Sequence, residues 1–299
     1  MAEPPDSLES RRRPPFREPR AAGPRGEFSG EGDAAPAGGE DPEGLARRGV
    51  ALAEQGRLAE ALPLLGRAAT LAPGDARARH NLGVALAQSG RADEGVAQLE
   101  EALRLEPGYA EAAYNLGHLL GGLGRKDEAE AAYRRALASR PDHFGALNNL
   151  GLALQGSGRP GEAAVLLGQA CRLRPDSPEA RNNLGLALAD LGRFGEAEAC
   201  YHEALRLSPG YAEAHTNLGS ALKEMGRAEE ALASFDMALR LDPGSRSAHR
   251  PACKSVSERL YRAERDSGSS RRAISKLASA SSVRPSSFSA EPRLTWASA

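Results

Sequence analysis

Residues 183–188, with the sequence Asn-Leu-Gly-Leu-Ala-Leu, decide the fold of this 299-residue chain. They are followed by Gly-Arg at 192–193 and by Pro209, and the whole pattern recurs every 34 residues. We number each copy from position 1, which is Pro42 in the first copy. The positions that keep their residue in all six copies include Gly at 8, Gly at 15, Arg at 16 and Pro at 32. Such a period predicts a repeat protein.

Each 34-residue unit is predicted to form two α-helices. Leucines at positions 7 and 11, such as Leu184 and Leu188, have the i, i+4 spacing of one helical stripe, which places the first helix at about positions 2–14. The glycine at position 15 ends that helix, because glycine takes the left-handed conformation at no steric cost. A second stripe at positions 20, 24, 27 and 28 marks the second helix, and the proline at 32 cannot continue it.

Small residues recur where the two helices of a unit should touch. Position 8 is always Gly, position 20 is Ala or Gly, and position 27 is always Ala. We expect position 8 to face position 20 or 24 across the pair. A larger side chain there would overpack the contact, at a cost of about 1–3 kcal/mol.

This pattern resembles the tetratricopeptide repeat (TPR). The resemblance implies an all-α, right-handed α-solenoid of six TPR helix pairs. The chain departs from the usual pattern at position 4, which lacks Trp, and at position 11, which is Leu instead of Tyr in all six copies. Leu at 11 with Asn-Leu-Gly at 6–8 is most similar to the repeat arm of O-GlcNAc transferase, SPINDLY and their bacterial relatives.

The repeat pattern also sets the predicted domain limits. The six repeats are 42–75, 76–109, 110–143, 144–177, 178–211 and 212–245. Residues 1–41 are rich in Pro, Gly, Glu and Arg and are predicted to be a disordered tail. A seventh unit starts with Ala248-His249 and then loses register at Pro251, so 246–266 is predicted to form a short capping helix. The Ser- and Arg-rich residues 267–299 are predicted to be a second disordered tail.

Charge and composition exclude several classes of function. The net charge is −1, and the six repeats alone carry −5, which gives no electrostatic case for nucleic-acid binding. No apolar run has the length of a membrane span or a signal sequence, so we expect no membrane association. Three cysteines without a C-x-x-C pair favour buried thiols over a disulfide or a metal site, and they fit a cytoplasmic protein. No catalytic, phosphate-binding or cofactor motif is present, so no cofactor is expected.

The candidate binding residues come from the first helix of each repeat. The resemblance implies that these helices line an inner groove, with positions 2, 5, 6, 9, 12 and 13 facing or bordering it. Position 6 carries an asparagine in five repeats: Asn81, Asn115, Asn149, Asn183 and Asn217. An amide both donates and accepts, so a ladder of amides could bond the main chain of an extended peptide. In the transferase arm the matching asparagines are understood to do so.

Positions 2 and 5 of the first helices supply the other candidate binding residues. They are Arg77, His80, Tyr114, Asn148 and Asn182. The alternative interpretation is that Asn at position 6 serves local hydrogen bonding within the repeats. The Arg at position 16 is followed three residues later by a Glu, as in Arg193/Glu196. This charged pair at the start of the second helix is predicted to be structural and not part of a binding site.

Two functional hypotheses follow. The first is a non-catalytic scaffold that binds a protein or peptide partner in extended conformation, with self-association through the end repeats as an additional prediction. The second is the substrate-recruiting arm of a truncated or frameshifted O-GlcNAc-transferase-like enzyme, since composition changes abruptly after Ala248. The 54 residues from 246 onward cannot build a nucleotide-sugar domain, so the chain itself is expected to catalyse no transfer.

Overall fold

The computed structural model describes residues 40–245 and Ala248, and they are helical or in short turns, without a β-strand. This confirms the all-α prediction. Two helices lie in each predicted 34-residue unit. They are α1 (Pro42–Glu54), α2 (Leu58–Leu71), α3 (Ala76–Gln88), α4 (Ala92–Leu105), α5 (Ala110–Gly122), α6 (Lys126–Ser139), α7 (Phe144–Gly156), α8 (Pro160–Leu173), α9 (Pro178–Asp190), α10 (Phe194–Leu207), α11 (Ala212–Glu224) and α12 (Ala228–Leu241).

Side-chain caps mark the start of four odd-numbered helices, α1, α3, α7 and α9, and glycine turns mark the end of all six. Asp41 accepts hydrogen bonds from the main-chain N–H groups of Glu43 and Gly44, at 3.1 and 2.9 Å, and so caps α1. Each helix then ends at a position-15 glycine whose φ lies between 73° and 85°. The N–H of the following arginine bonds to the carbonyl of the position-11 leucine at 2.9 Å in every repeat, which closes a Schellman turn.

The invariant glycine at position 8 lies against the second helix of its own repeat. A Cβ atom added to Gly185 would lie 2.6 Å from the ring of Tyr201 at position 24. A Cβ atom on Gly219 would lie 2.7 Å from the ring of Phe235 and 3.0 Å from the carbonyl oxygen of Ala231 at position 20. Position 8 therefore faces both positions 20 and 24, as predicted, and any side chain there would clash with buried atoms.

The stacking of the pairs gives the solenoid an inner and an outer side. Each odd-numbered helix comes within 8 Å of the next odd-numbered helix between Cα atoms, whereas no two consecutive even-numbered helices do. The odd-numbered helices thus lie on the tighter, inner side of the curve. We call their positions 2, 5, 6, 9, 12 and 13 the groove face.

One described residue, Ala248, lies beyond repeat six. Ala248 is fully buried and packs into the same apolar cluster as Phe235 and Ala238, so the chain continues past repeat six with a repeat-like contact. The predicted tails, apart from Glu40 and Asp41, and the predicted capping helix, apart from Ala248, lie outside the described residues. None of the described helices has both the length and the apolar character that a bilayer crossing requires.

Candidate functional site

Asparagine side chains join consecutive repeats along the groove face. Asn183 Nδ2 donates to Oδ1 of Asn148 at 3.0 Å, and Asn217 Nδ2 donates to Oδ1 of Asn182 at 2.9 Å. In both pairs, position 6 of one repeat binds position 5 of the repeat before it. The predicted residues at positions 5 and 6 thus form one ladder, and part of its hydrogen-bonding capacity is used inside the protein.

His80 takes the same place in the ladder between repeats two and three. Its Nε2 lies 2.8 Å from Asn115 Nδ2, and its Nδ1 lies 3.3 Å from Asn81 Oδ1 and 3.4 Å from the Tyr109 hydroxyl. Because an amide NH₂ group can only donate, Nε2 is the acceptor and Nδ1 carries the hydrogen. Burial lowers the pKa of His80, which favours this neutral form.

The candidate residues differ in how much of them a partner could reach. Asn182 and Asn183 are 0% and 1% exposed, and neither Nδ2 of Asn182 nor Oδ1 of Asn183 has a hydrogen-bond partner among the described residues. Arg77 is exposed. The half-buried members are His80, Asn81, Tyr114, Asn115, Asn148, Asn149 and Asn217.

A charged cluster flanks the groove face at repeat three. Glu111 accepts from Arg140 at 2.5 Å and pairs with His143 Nε2 at 2.9 Å. The hydrogen bond with His143, supported by the one with Arg140, lowers the pKa of Glu111 to about 2. His143 Nδ1 also accepts from the N–H of Ala146 at 3.1 Å and so caps α7. Glu111 is at position 2 of repeat three, and the repeat pattern gives no signal for its partners, which are 29 and 32 residues away.

Tyr114 lies at the centre of this cluster. Its ring centroid is 4.7 Å from that of His143 and 6.4 Å from that of His118. The ring covers Gly145, where an added Cβ atom would lie 2.9 Å from the ring carbons. Gly145 therefore leaves the space that the Tyr114 ring occupies, at a position where other repeats carry a charged residue.

The first two repeats line an open cavity on the groove side. It has a volume of about 720 Å³ and is lined by α1 and α3 residues that include Glu43, Arg47, Arg77 and Asn81. The structure thus brings two of the predicted residues, Arg77 and Asn81, to the wall of one cavity. Clefts of roughly 300–1,000 Å³ are usual for sites that hold a small ligand.

The arginine at position 16 has a structural role in all six repeats. It forms a two-pronged ion pair with the glutamate at position 19, as in Arg193–Glu196 at 2.7 Å. In two places it also reaches the preceding repeat, since Arg159 bonds Glu130 and Arg227 bonds Glu198, both at 2.7 Å. These residues begin the even-numbered helices and are not part of the groove face. The six pairs are Arg57–Glu60, Arg91–Glu94, Arg125–Glu128, Arg159–Glu162, Arg193–Glu196 and Arg227–Glu230.

Sequence families place the chain among repeat proteins. A tetratricopeptide repeat model matches residues 80–143, 114–178, 148–199 and 182–246, which together exceed half of the chain. The chain belongs to the tetratricopeptide repeat family. A second TPR model matches residues 52–100. TPR proteins are generally non-catalytic scaffolds, and the part of the chain that the structure describes contains TPR helix pairs and no catalytic domain.

Solved structures show the same fold. YrrB, described as a TPR protein with an unusual peptide-binding site, is 26% identical, with a TM-score of 0.56, over 62% of this chain and 95% of its own. Pseudomonas aeruginosa PilF is 19% identical, with a TM-score of 0.63, over 71% of this chain and 97% of its own. A MamA structure designated AMB-1 is 31% identical, with a TM-score of 0.51, over 56% of this TPR chain and 99% of its own.

These likenesses establish the fold and not a partner. Matches extend to 420 solved chains, so the architecture is shared far too widely to select one function. None of the curated proteins compared matches the chain. The finer resemblance to the transferase arm stays a prediction, because neither the TPR models nor these structures distinguish that group.

Proposed function

We propose that this TPR protein is a non-catalytic scaffold that binds an extended segment of a partner protein along its groove face. The TPR fold itself is consistent with a protein-interaction scaffold. The observation that carries the finer proposal is the ladder of side-chain amides, which places hydrogen-bonding groups at one-repeat intervals on the inner side. An extended main chain offers N–H and C=O groups that such a ladder can bind whatever the side chains are.

The ladder keeps hydrogen-bonding capacity for a partner. An amide has two hydrogens and a carbonyl oxygen with two lone pairs, and the contact between repeats uses one hydrogen of each donor. The half-buried members Asn81, Asn115, Asn149 and Asn217 therefore have groups left for a ligand. Asn183 has almost no exposed surface, and its Nδ2 holds the ladder together through Asn148, so only its Oδ1, which has no partner among the described residues, is left for a ligand.

Two further observations support a peptide ligand. The cavity beside Arg77 and Asn81 has room for a side chain of a segment that lies in the groove. The structurally similar YrrB is described as having a peptide-binding site, although it is only 26% identical to this chain. No observation favours the alternative role as the arm of a glycosyltransferase.

A crosslinking experiment tests the proposal. A photo-crosslinking amino acid is placed either at His118, which is exposed on the groove face, or at Val165, which is 62% exposed on the even-numbered helix α8. Each protein is irradiated with a library of labelled 15-residue peptides. We expect peptide adducts at His118 and few at Val165. Equal labelling at the two sites, or more at Val165, would contradict the proposed groove.

A double substitution tests whether the asparagine side chains bind the peptide. Asn81→Ala with Asn115→Ala should reduce adduct formation at His118, because it removes two groups of the ladder. Gln169→Ala, an amide on even-numbered α8, is the control and should leave the adducts unchanged. Circular dichroism confirms that each variant is folded. If a folded double variant labels as well as the unsubstituted chain, the amides do not bind the peptide.

A further inference from the structure

The groove face is acidic in repeats three to six. Repeats three to six carry five acidic residues at groove-face positions and a single basic one, Lys223. The five are Glu111, Glu179, Asp190, Glu213 and Glu224. The first two repeats differ, because there the acids Glu43 and Glu54 are balanced by Arg47 and Arg77.

Glu179, Asp190 and Glu224, in repeats five and six, have no basic partner among the described residues, unlike Glu111. Glu111 is held by Arg140 and His143, which follow α6 of its own repeat. The equivalent positions for Glu179 are Ser208 and Tyr211, and neither is basic. Within the part of the chain that the structure describes, Glu179 accepts a hydroxyl hydrogen bond from Ser177, at 3.0 Å, and forms no ion pair.

The carboxylates of Asp190 and Glu224 also lack a basic partner among the described residues. Asp190 accepts from the neutral amide of Gln155 at 2.7 Å. Within residues 40–245 and Ala248, none of Glu179, Asp190 and Glu224 forms an ion pair, and all three are exposed. We call these three residues the acidic stripe. It places three carboxylates on the inner side of α9 and α11, where Lys223 is the single basic residue at a groove-face position.

A second observation at the same place is independent of charge. Asn182 and Asn183 lie between Glu179 and Asp190 along the groove face of α9, and both are buried. Nδ2 of Asn182 and Oδ1 of Asn183 lack hydrogen-bond partners in the described part of the chain. A buried polar group without a partner costs about 1–3 kcal/mol, so a donor and an acceptor that reached these atoms would stabilise the complex.

An extended peptide has both groups that this site needs. Its C=O accepts from an amide NH₂, and its N–H donates to an amide oxygen, so one main chain can serve both asparagines after a small rotation of their side chains. The carboxylates on either side then favour cationic side chains on that peptide.

We infer that the acidic stripe selects a lysine- or arginine-rich extended segment of a partner protein. This inference rests on the proposed groove function and adds the chemical class of the ligand. The attraction acts between exposed charges, so it weakens as salt shortens the screening length from about 30 Å at 0.01 M to about 8 Å at 0.15 M. It contributes to selectivity among peptides that the amide ladder binds without regard to sequence.

Three labelled peptides test this inference with the full chain. They repeat Gly-Ser-Arg, Gly-Ser-Gln or Gly-Ser-Glu to the same length, and fluorescence anisotropy gives their affinities. We expect the arginine peptide to bind at least about tenfold more tightly than the glutamine peptide at low salt, and the glutamate peptide to bind most weakly. Equal affinity for all three peptides would overturn the inference, while groove labelling at His118 would still support the proposed function.

Matched variants test whether the acidic stripe causes the preference for the arginine peptide. Glu179→Gln, Asp190→Asn and Glu224→Gln together should abolish most of the preference for the arginine peptide. The control carries Asp93→Asn, Glu100→Gln and Asp127→Asn, three exposed acids on even-numbered helices, with the same change of net charge. If the control loses the preference equally, the acidic stripe is not the site and the inference fails.

The same assay also tests whether the chain's own C-terminal segment occupies the acidic stripe. Residues 246–299 carry eleven basic and four acidic residues, so the chain's own C-terminal segment could compete for the acidic stripe. Changing Arg262, Arg265, Arg271 and Arg272 to Gln should leave binding of the arginine peptide within about twofold. Binding that appears only in this variant would assign the stripe to the C-terminal segment and overturn the inference.

Discussion

Asn217 donates its side-chain amide to Oδ1 of Asn182 at 2.9 Å, across the boundary between repeats six and five. Asn182 is completely buried, and its own NH₂ group has no partner among the described residues. Within the described residues, the buried side chain of Asn182 is therefore held by one hydrogen bond, the one from Asn217. This makes the pair the point at which the ladder is most sensitive to substitution.

Asn217→Ala should destabilise the protein by about 1–3 kcal/mol, because it leaves the buried Asn182 carbonyl without a donor. The measurement is urea unfolding followed by circular dichroism. Gln88→Ala is the control, since Gln88 is an exposed amide on α3, and its substitution should change stability by less than about 0.5 kcal/mol. A loss of equal size in both variants would show that the pair contributes nothing specific.

Gly185→Ala should destabilise the protein by about 1–3 kcal/mol, because the new methyl group would lie 2.6 Å from the buried ring of Tyr201. Gly66→Ala provides the matched test within α2, where a Cβ atom meets nothing within 4 Å. That change should instead stabilise the protein, by up to about 1 kcal/mol, since alanine favours helix more than glycine does. Two effects of the same sign in thermal unfolding would contradict the packing described here.

The pH dependence of stability should reflect the neutral state of His80. Burial lowers its pKa below the ordinary value of 6.5, so the unfolded chain binds the proton more readily. Its contribution is complete above pH 6.5 and is lost as pH falls from 6.5 toward the lower folded pKa. Urea unfolding at pH 7.5 and 5 should therefore show a smaller pH effect for His80→Gln than for the unsubstituted chain. An identical pH effect would mean that His80 is not held neutral.

Glu111 should contribute to the pH dependence of stability in a second, more acidic pH range. Its pKa falls from 4.5 to about 2 because His143 and Arg140 bind the carboxylate. The stabilisation is present above pH 4.5 and is lost as pH falls from 4.5 toward 2. Acid unfolding of Glu111→Gln should be less steep over this range than that of the unsubstituted protein. Parallel curves would show that the carboxylate is not bound as the structure describes.

The sequence was sufficient to predict features that repeat in every unit. Gly185 and Gly192 belong to invariant columns, and each column has one steric reason that the structure repeats six times. The pair of helices, the facing of position 8 and the structural role of the position-16 arginine could therefore be read from spacing alone.

Contacts between repeats could not be predicted in this way. The bond from Asn183 to Asn148 spans 35 residues and depends on how far one repeat is rotated against the next. The contact of His143 with Glu111 was also not predictable, because it joins the two ends of repeat three over 32 residues and no other repeat carries the same pair. Burial of Asn182 was also missed, because position 5 was assigned to the groove from the family pattern and not from packing.

The most direct test of the central claim is a nuclear magnetic resonance titration of the full chain with the arginine peptide. The account predicts that chemical-shift changes concentrate on the side-chain amides of Asn81, Asn115, Asn149 and Asn217 and on other residues of the odd-numbered helices. Changes concentrated on the even-numbered helices, with those amide signals unmoved, would contradict binding on the groove face.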